Sequence, residues 1–534
     1  MRKLKIAALL LAIGISAAHA QVRFDAGFEG GSLGNVVQLD STSVIVAPGD
    51  TVVHLSYLIT GKFDPENPID TSLAPSANWY YFRMTGVKGK QIYLTTRDNG
   101  VERTSYSYDG INWGHLPLAE SERHRLDKRF THDTVFIALY VPYTWSYLQE
   151  RIGSWSTRDG VTLDTIGFSH EGRPLQMLHI TDPSVPSDRK ALVWVHGRQH
   201  PSESPASYLV DGLVEYLTSD TPEGRSLRQQ VDAYVLPFAN PDGVANGLSR
   251  SNALGVNQEI NFGRSDDSTV VEVRAIKAMF EKLTADRPFD VMLNSHSQLA
   301  DFATLWMHRG SSTSDEYLRK EWAFAGLLSS FNPCIKPEDM NFSNIASRYA
   351  EGWCWNNAGA ATLALTIETT YNCYSQDLDG LWADNDNIRG FGKRTMQAVA
   401  EYLGISLPGR YIVETPARMK GGWQPASDNA HSFLGSDAWI ATRAGAKVTY
   451  TMDGPPAGRY EIYRYATGNC IEPAGQTHLW DREAGKWFDT GIHGWVREGE
   501  AVVTSAGRFR YTIRAKEPGE FADALLLVRC DTEN

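Results

Sequence analysis

The 534-residue chain has no C-x-x-C pair among its five cysteines, so neither a cysteine zinc site nor a thioredoxin-like redox pair is indicated. Beyond residue 20 no apolar run approaches the roughly 20 residues of a membrane helix, and no membrane span is expected. Basic clusters are missing as well: 51 Lys and Arg stand against 63 Asp and Glu, a formal charge of −12. Nucleic acid and anionic membranes reward clustered cations, so neither is an expected partner. The sequence shows no internal repeat and no low-complexity tract. What remains is an ordinary globular composition, 42% hydrophobic and 21% charged, long enough for about two to four domains.

The first twenty residues stand apart. A basic stretch over 1–5 leads into the apolar 6–15 and ends at the small residues Ala18-His19-Ala20, the layout of a secretory signal peptide. An exported protein, periplasmic or secreted and beginning at Gln21, is therefore expected, with no cysteine after the cleavage point to carry a lipid. Loss of Arg2, Lys3 and Lys5 takes the charge from −12 to −15. In an oxidising compartment Cys470 and Cys530 are the expected disulfide, leaving Cys334, Cys354 and Cys373.

Rhythm divides the rest. From about 24 to 150, short runs at 43–47, 52–59, 79–84 and 135–141 are cut by Gly, Pro, Asn and Asp, which predicts a small antiparallel β-sandwich. From about 160 to 404, buried-strand runs at 191–195, 233–238, 289–293 and 362–367 alternate with helical patterns at 206–217, 270–283 and 388–403. That alternation is the mark of an α/β sheet with helices on its faces. After a linker from 407 to 422, runs at 447–452, 459–465, 508–514 and 523–529 predict a second sandwich. The expected division is a leader over 1–20, an N-terminal β-sandwich over 21–155, a catalytic α/β domain over 156–405 and a C-terminal β-sandwich over 406–534. Trp423, Trp439, Trp480, Trp487 and Trp495 make the last a candidate glycan- or surface-binding module, tryptophans in such a sandwich being otherwise core.

Chemistry gathers at the predicted strand ends. The strand at 191–195 runs into His196-Gly197-Arg198-Gln199-His200-Pro201-Ser202-Glu203, where a helix starts. His200 and Glu203 offer an imidazole nitrogen and a carboxylate, which zinc accepts, and catalytic zinc sites commonly add a second His and keep a fourth position for water. Taken alone, the pair equally suits a helix N-terminus with an acidic first turn. The strand at 289–293 runs into His296, at the carboxyl end where open α/β sheets collect their sites; a lone His there is more often a hydrogen-bonded structural residue. The strand at 362–367 ends in Glu368, too costly to bury unpartnered and suited either to proton transfer or to a salt bridge at a sheet edge. Four such residues at the ends of three strands coincide by chance far less readily than any one of them.

The ordered set His200-Pro201-Ser202-Glu203, Asn240-Pro241-Asp242-Gly243-Val244, His296-Ser297 and Leu365-Thr366-Ile367-Glu368 resembles the zinc carboxypeptidase family, in particular its cytosolic carboxypeptidase branch. Ile166-Gly167-Phe168-Ser169-His170-Glu171-Gly172-Arg173-Pro174-Leu175 resembles the opening of that branch's peptidase domain. Trp79-Tyr80-Tyr81-Phe82-Arg83 and Val141-Pro142-Tyr143-Thr144-Trp145 resemble the β-sandwich before it, so the likeness covers roughly residues 24–404. It implies a mixed, twisted sheet with helices on both faces and a zinc site at its edge, flanked by the two sandwiches. One zinc ion per chain would be held by His200, Glu203 and His296, with Glu368 as catalytic base and Arg250 as the cation that meets the developing oxyanion and the substrate. The reaction implied is hydrolysis of the peptide bond next to a free C-terminus, on a peptide or protein.

The same resemblance calls for an Asn-Arg pair whose guanidinium grips the substrate's terminal carboxylate. The chain has Gly255-Val256-Asn257-Gln258-Glu259-Ile260-Asn261-Phe262-Gly263-Arg264. One alignment keeps Asn261 and puts Phe262 where the Arg belongs; an ungapped alignment from Gly255 loses both, and Arg264 is the candidate replacement. Tyr349 is the nearest match to a tyrosine that relatives outside the branch place about twenty residues before the base, and packing is its alternative role. Substrate contacts are thus expected from Arg250, Asn261, Arg264 and Tyr349. Between Tyr349 and Ala361, Trp353, Cys354 and Trp355 stand without an unambiguous charge, so neither a basic nor an acidic pocket is expected. Two alternatives stay open: a zinc amidohydrolase or peptidase acting on cell-wall peptides or blocked C-termini, and a catalytically silent protein that binds through its sandwiches.

Overall fold

The computed structural model describes residues 21–530 apart from 49, 98–99, 375–379, 427–433, 436–437, 468–469, 474–479, 482–485, 488–489 and 506. The leader-like residues 1–20 lie outside these.

Two five-stranded sheets make the N-terminal lobe. One is ordered Arg23–Asp25, Tyr81–Thr85, Thr134–Ala138, Ser105–Ser107, Gly114–His115; the other Val36–Ala47, Asp50–Ile59, Gln91–Thr96, Arg125–Arg129, Ser121–Glu122. The predicted antiparallel pairing holds except between Asp50–Ile59 and Gln91–Thr96, which run parallel. Parallel neighbours need a long crossover, and here residues 60–90 supply it. On its way that segment lays Asp64 against the backbone of residues 249–251 in the next lobe.

The central sheet has eight strands in the spatial order Val161–Phe168, Pro174–Ile180, Val231–Leu236, Ala191–Gly197, Val291–Gln298, Leu363–Thr370, Thr304–His308, Asn341–Ser343. The middle four are mutually parallel and the flanks include antiparallel pairs, so the sheet is mixed. Its four parallel strands are buried on both faces, which is why they read as near-continuous apolar runs. Val193 and Val195 face the helices Ser204–Thr218 and Asn385–Tyr402, while Leu192 and Trp194 face the helix Val271–Leu283. The first of these cores is continuous from Tyr80 and Phe82 in the N-terminal lobe, through Leu365, to Trp495 and Leu526 near the C-terminus.

Two strands run further than their apolar residues predict, to Gln298 and Thr370. Backbone pairing does not need apolar side chains once a strand has neighbours on both sides, and the ladder carries Asn294, Ser295 and His296 with it. His296 and Glu368 therefore lie within the sheet, directly opposite each other in register.

After Gly404 the strand rhythm returns as a four-stranded sheet (Arg410–Val413, Leu525–Arg529, Gly458–Tyr465, Trp495–Val503) and two three-stranded ones, with a core around Tyr450, Tyr460, Ile462 and Phe509. Trp495 is buried there and donates its indole N–H to Glu401 at 3.0 Å, while Trp423 and Trp439 pack against the core of this lobe. These three tryptophans serve packing, so the expected glycan contact has no support from them; the side chains of Trp480 and Trp487 lie outside the described residues. The expected disulfide is also corrected, since Cys470 and Cys530 are not bonded to each other. Cys470 is packed against the main core, where burial pushes its thiol up to about 12, whereas Cys530 is exposed beyond the last strand. Among the described residues no helix is long and apolar enough to cross a membrane.

Candidate metal centre and active site

The strand Ala191–Gly197 delivers the chain into a turn that ends at Glu203, the residue immediately before the helix Ser204–Thr218. Arg198 holds that turn closed. Its φ of 56° is unusual for a residue with a side chain, and its buried guanidinium compensates by donating to the Pro201 carbonyl (2.7 Å), the Ser207 hydroxyl (2.9 Å) and the Tyr143 carbonyl of the N-terminal lobe (3.1 Å).

The turn brings His200 and Glu203 up to His296 on the neighbouring strand. His200 Nδ1 lies 2.8 Å from Glu203 Oε1, His296 Nδ1 lies 2.9 Å from Glu203 Oε2, and the two Nδ1 atoms are 3.2 Å apart. All three residues are buried, and one ligand atom from each falls within 4.8 Å of the others. Two imidazole nitrogens and both oxygens of one carboxylate converge on a point, which is the donor set of a two-His, one-Glu zinc site. The residues present fit the metal.

The outer ring nitrogens are also engaged. His200 Nε2 is 3.3 Å from Asn257 Oδ1 and 3.2 Å from Glu259 Oε2; His296 Nε2 is 3.3 Å from Gln199 Oε1. Acceptors on that side keep the proton on Nε2 and leave the Nδ1 lone pairs for a metal. Behind Gln199, Asn294 donates to Gln199 Oε1 (3.3 Å) and to Glu351 Oε1 (3.1 Å), and the Thr366 hydroxyl donates to the same carboxylate oxygen (2.6 Å). Glu351 is thus a buried carboxylate in the stretch where no unambiguous charge was expected.

Charge coupling holds the cluster together. Burial alone would lower His200, but Glu203 outweighs it and raises the imidazole to about 9; His296 is raised in the same way. Burial alone would raise Glu203, yet His200 and then His296 hold it well below the usual carboxylate range. Glu259, which burial would also raise, is brought down to about 2, chiefly by His200. A divalent cation bound at the point of convergence would take the place of the protons these couplings retain.

Glu368 stands across from His296 and is half-buried, accepting the Trp306 indole N–H at 2.7 Å on Oε1. Burial and then the Glu203 charge push its carboxyl above the ordinary value. Arg250 reaches the His200 side of the cluster from another loop, its guanidinium 3.3 Å from Glu259 Oε2.

The remaining expected substrate residues have other company. Asn261 donates its amide to the Asn257 carbonyl, and the Arg264 carbonyl accepts from Lys277 at 2.8 Å. Phe262 is buried among Phe280 and His196. Tyr349 accepts from Arg348, whose guanidinium lies 4.8 Å over its ring. Gln199, Asn257, Glu259, Trp306 and Glu351 were absent from the expected set. Gln199, Asn257 and Glu259 carried a signal, as polar residues in stretches already singled out.

Residues 156–479 match the family model described as zinc carboxypeptidase. Cytosolic carboxypeptidase 6 of Mus musculus is 24% identical over 352 residues, 60% of this chain and 60% of that protein. The Homo sapiens protein of the same name is 25% identical over 388 residues, 66% of this chain and 71% of its own length. The chain spans 57% of one curated relative it matches and 60% of the mouse one. Among solved structures, a metallo-carboxypeptidase from Burkholderia cenocepacia has the same fold, with a TM-score of 0.59 at 20% identity over 71% of this chain and 98% of that one.

Proposed function

Because the chain belongs to the zinc carboxypeptidase family, we propose that it is a zinc-dependent metallocarboxypeptidase that hydrolyses the C-terminal peptide bond of peptides or proteins. One observation carries the reading: the Nδ1 atoms of His200 and His296 and the Glu203 carboxylate converge, with Glu368 facing them across the sheet. In this reading His200, Glu203 and His296 hold one zinc ion, which supplies Lewis acidity to polarise the scissile carbonyl and make water more nucleophilic.

Glu368 takes the proton that water gives up as its oxygen bonds to the carbonyl carbon, and returns it to the amine nitrogen as the C–N bond breaks. Trp306 occupies one oxygen of that carboxylate and leaves the other for the proton. Arg250 presents its guanidinium to the carbonyl oxygen as negative charge develops there. The leader-like residues 1–20 make the enzyme an exported one, and N-terminal sequencing of the mature protein should begin at Gln21.

The test is turnover of peptides with free C-termini. Glu368→Gln should lower kcat by about 10²–10⁴-fold, the usual worth of a general base, while bound zinc stays at the wild-type level. Full activity in that variant rules out Glu368 as the base.

A second reading, a peptidase that tolerates blocked C-termini, is favoured by the 255–264 segment. Phe262 is packed into an aromatic cluster, and the carboxylate nearest the metal ligands from that segment is Glu259, already beside Arg250. A terminal carboxylate would meet a negative neighbour there.

A further inference from the structure

We propose that Asp64, on the N-terminal lobe, is a positioning residue for Arg250, so that this lobe is a working part of the catalytic site; the proposal rests on the role given to Arg250 above. The Asp64 carboxylate is buried and accepts three successive backbone N–H groups, from Ser249 (2.7 Å), Arg250 (2.8 Å) and Ser251 (3.0 Å). Consecutive N–H groups turned to one point form an anion-binding nest, and here the anion is a side chain from another lobe. Asp64 is itself held, its own N–H donating to the Ser76 carbonyl at 2.8 Å.

The two lobes meet closely on either side of this nest. A Cβ on Gly247 would lie 2.3 Å from the Gly31 carbonyl oxygen, and one on Gly255 would lie 2.4 Å from that of Glu66. Both glycines have positive φ as well, 63° and 83°, so the backbone on each side of 249–251 is shaped to the N-terminal lobe. Ser249 extends the link inward: its hydroxyl accepts the Trp79 N–H (3.1 Å), and its carbonyl accepts the Ser202 hydroxyl (2.8 Å), one residue from Glu203.

Arg250 depends on this clamp because little else holds it. Its side chain is 43% exposed and its ion pair with Glu259 is 3.3 Å long. It borders a cavity of about 210 Å³ whose other walls include Asn257 and, from the N-terminal lobe, Pro65, Leu73 and Ser76. Packing leaves the guanidinium room to swing, so the position of the backbone that carries it decides where it sits. Without the Asp64 carboxylate three successive N–H groups, those of Ser249 and Ser251 buried, lose their acceptor, and the loop has to move to find others.

The test is a double-mutant cycle with Asp64→Ala, Arg250→Ala and the pair, on the full chain with zinc content and thermal stability measured for each. Arg250→Ala should lower kcat by about 10²-fold, as for loss of an oxyanion donor. Asp64→Ala should lower kcat by about 10-fold or more with KM changed less, and the pair should fall no further than Arg250→Ala alone, since groups that act as a unit are non-additive. Asp64→Asn, which keeps the shape and one acceptor, should show a smaller loss of the same kind and serves if the alanine variant does not fold. Losses that multiply in the pair, or an Asp64 variant with normal kcat, overturn the proposal while leaving Arg250 its role. An Arg250→Ala enzyme with normal kcat overturns both.

Discussion

Where His200, Glu203 and His296 converge, each imidazole nitrogen has a polar partner, and the one on His296 Nε2, Gln199, is itself held through Asn294 to Glu351, which Thr366 also meets. The side that should receive the substrate terminus is built from the 255–264 segment, where Phe262 has gone to the hydrophobic core and Glu259 pairs with Arg250. The first side gathers the donors that a fixed zinc ion would need. The second side answers to the substrate, and here it departs from a guanidinium grip. The contrast suggests that the chemistry and the choice of substrate can change independently within one sheet.

Breaking the metal side should cost most. Glu203→Ala removes one ligand and the counter-charge of both imidazoles, so zinc content should fall well below one per chain and turnover should vanish together, as read by metal analysis and a peptide assay. A weaker break lies one shell out: Gln199→Ala or Glu351→Gln should leave the ligands in place but loosen zinc by about 10–100-fold, as is typical for partners of ligating histidines. Competition with a chelator measures this directly. Affinity unchanged in both variants would mean that the relay behind His296 is only packing.

On the substrate side, comparing each peptide as free acid and as amide sharpens the contrast. A charge-assisted grip on a carboxylate is worth about 1.5–3 kcal/mol, roughly 10–150-fold in kcat/KM; lacking it, the enzyme should prefer the acid by less than about tenfold. A preference of a hundredfold would restore a dedicated grip and send the search back to Arg250.

The smallest effect lies away from both sides. Burial pushes the Asp339 carboxyl up to about 7. A folded-state value above the unfolded one means the folded chain holds the proton more tightly, so this residue's contribution to stability is full below about pH 4 and is lost as pH rises through 7. Asp339→Asn should therefore flatten the fall in Tm between pH 4 and 8 while leaving zinc content unchanged.

His200, Glu203, His296 and Glu368 were legible because they lie at or shortly after the places where apolar runs stop, a local signal that survives in one dimension. Strand lengths were less so, since the ladder carried Asn294 to Gln298 along on pairing that sequence pattern does not show. Glu351 escaped notice because its meaning comes from Asn294 and Thr366, 57 and 15 residues away in the chain. Asp64 was further out of reach, acting 185 to 187 residues along on the backbone of another lobe. The Cys470–Cys530 pairing failed for the converse reason: proximity in sequence says nothing of burial, and one thiol is packed against the core while the other faces solvent.

The central claim is a zinc ion between His200, Glu203 and His296, and the most direct measurement is a crystal structure of the purified protein with diffraction collected on both sides of the zinc absorption edge. The account predicts one strong anomalous peak per chain, about 2.0–2.2 Å from both Nδ1 atoms and from the Glu203 carboxylate. A zinc-replete crystal with no peak at that point would contradict it.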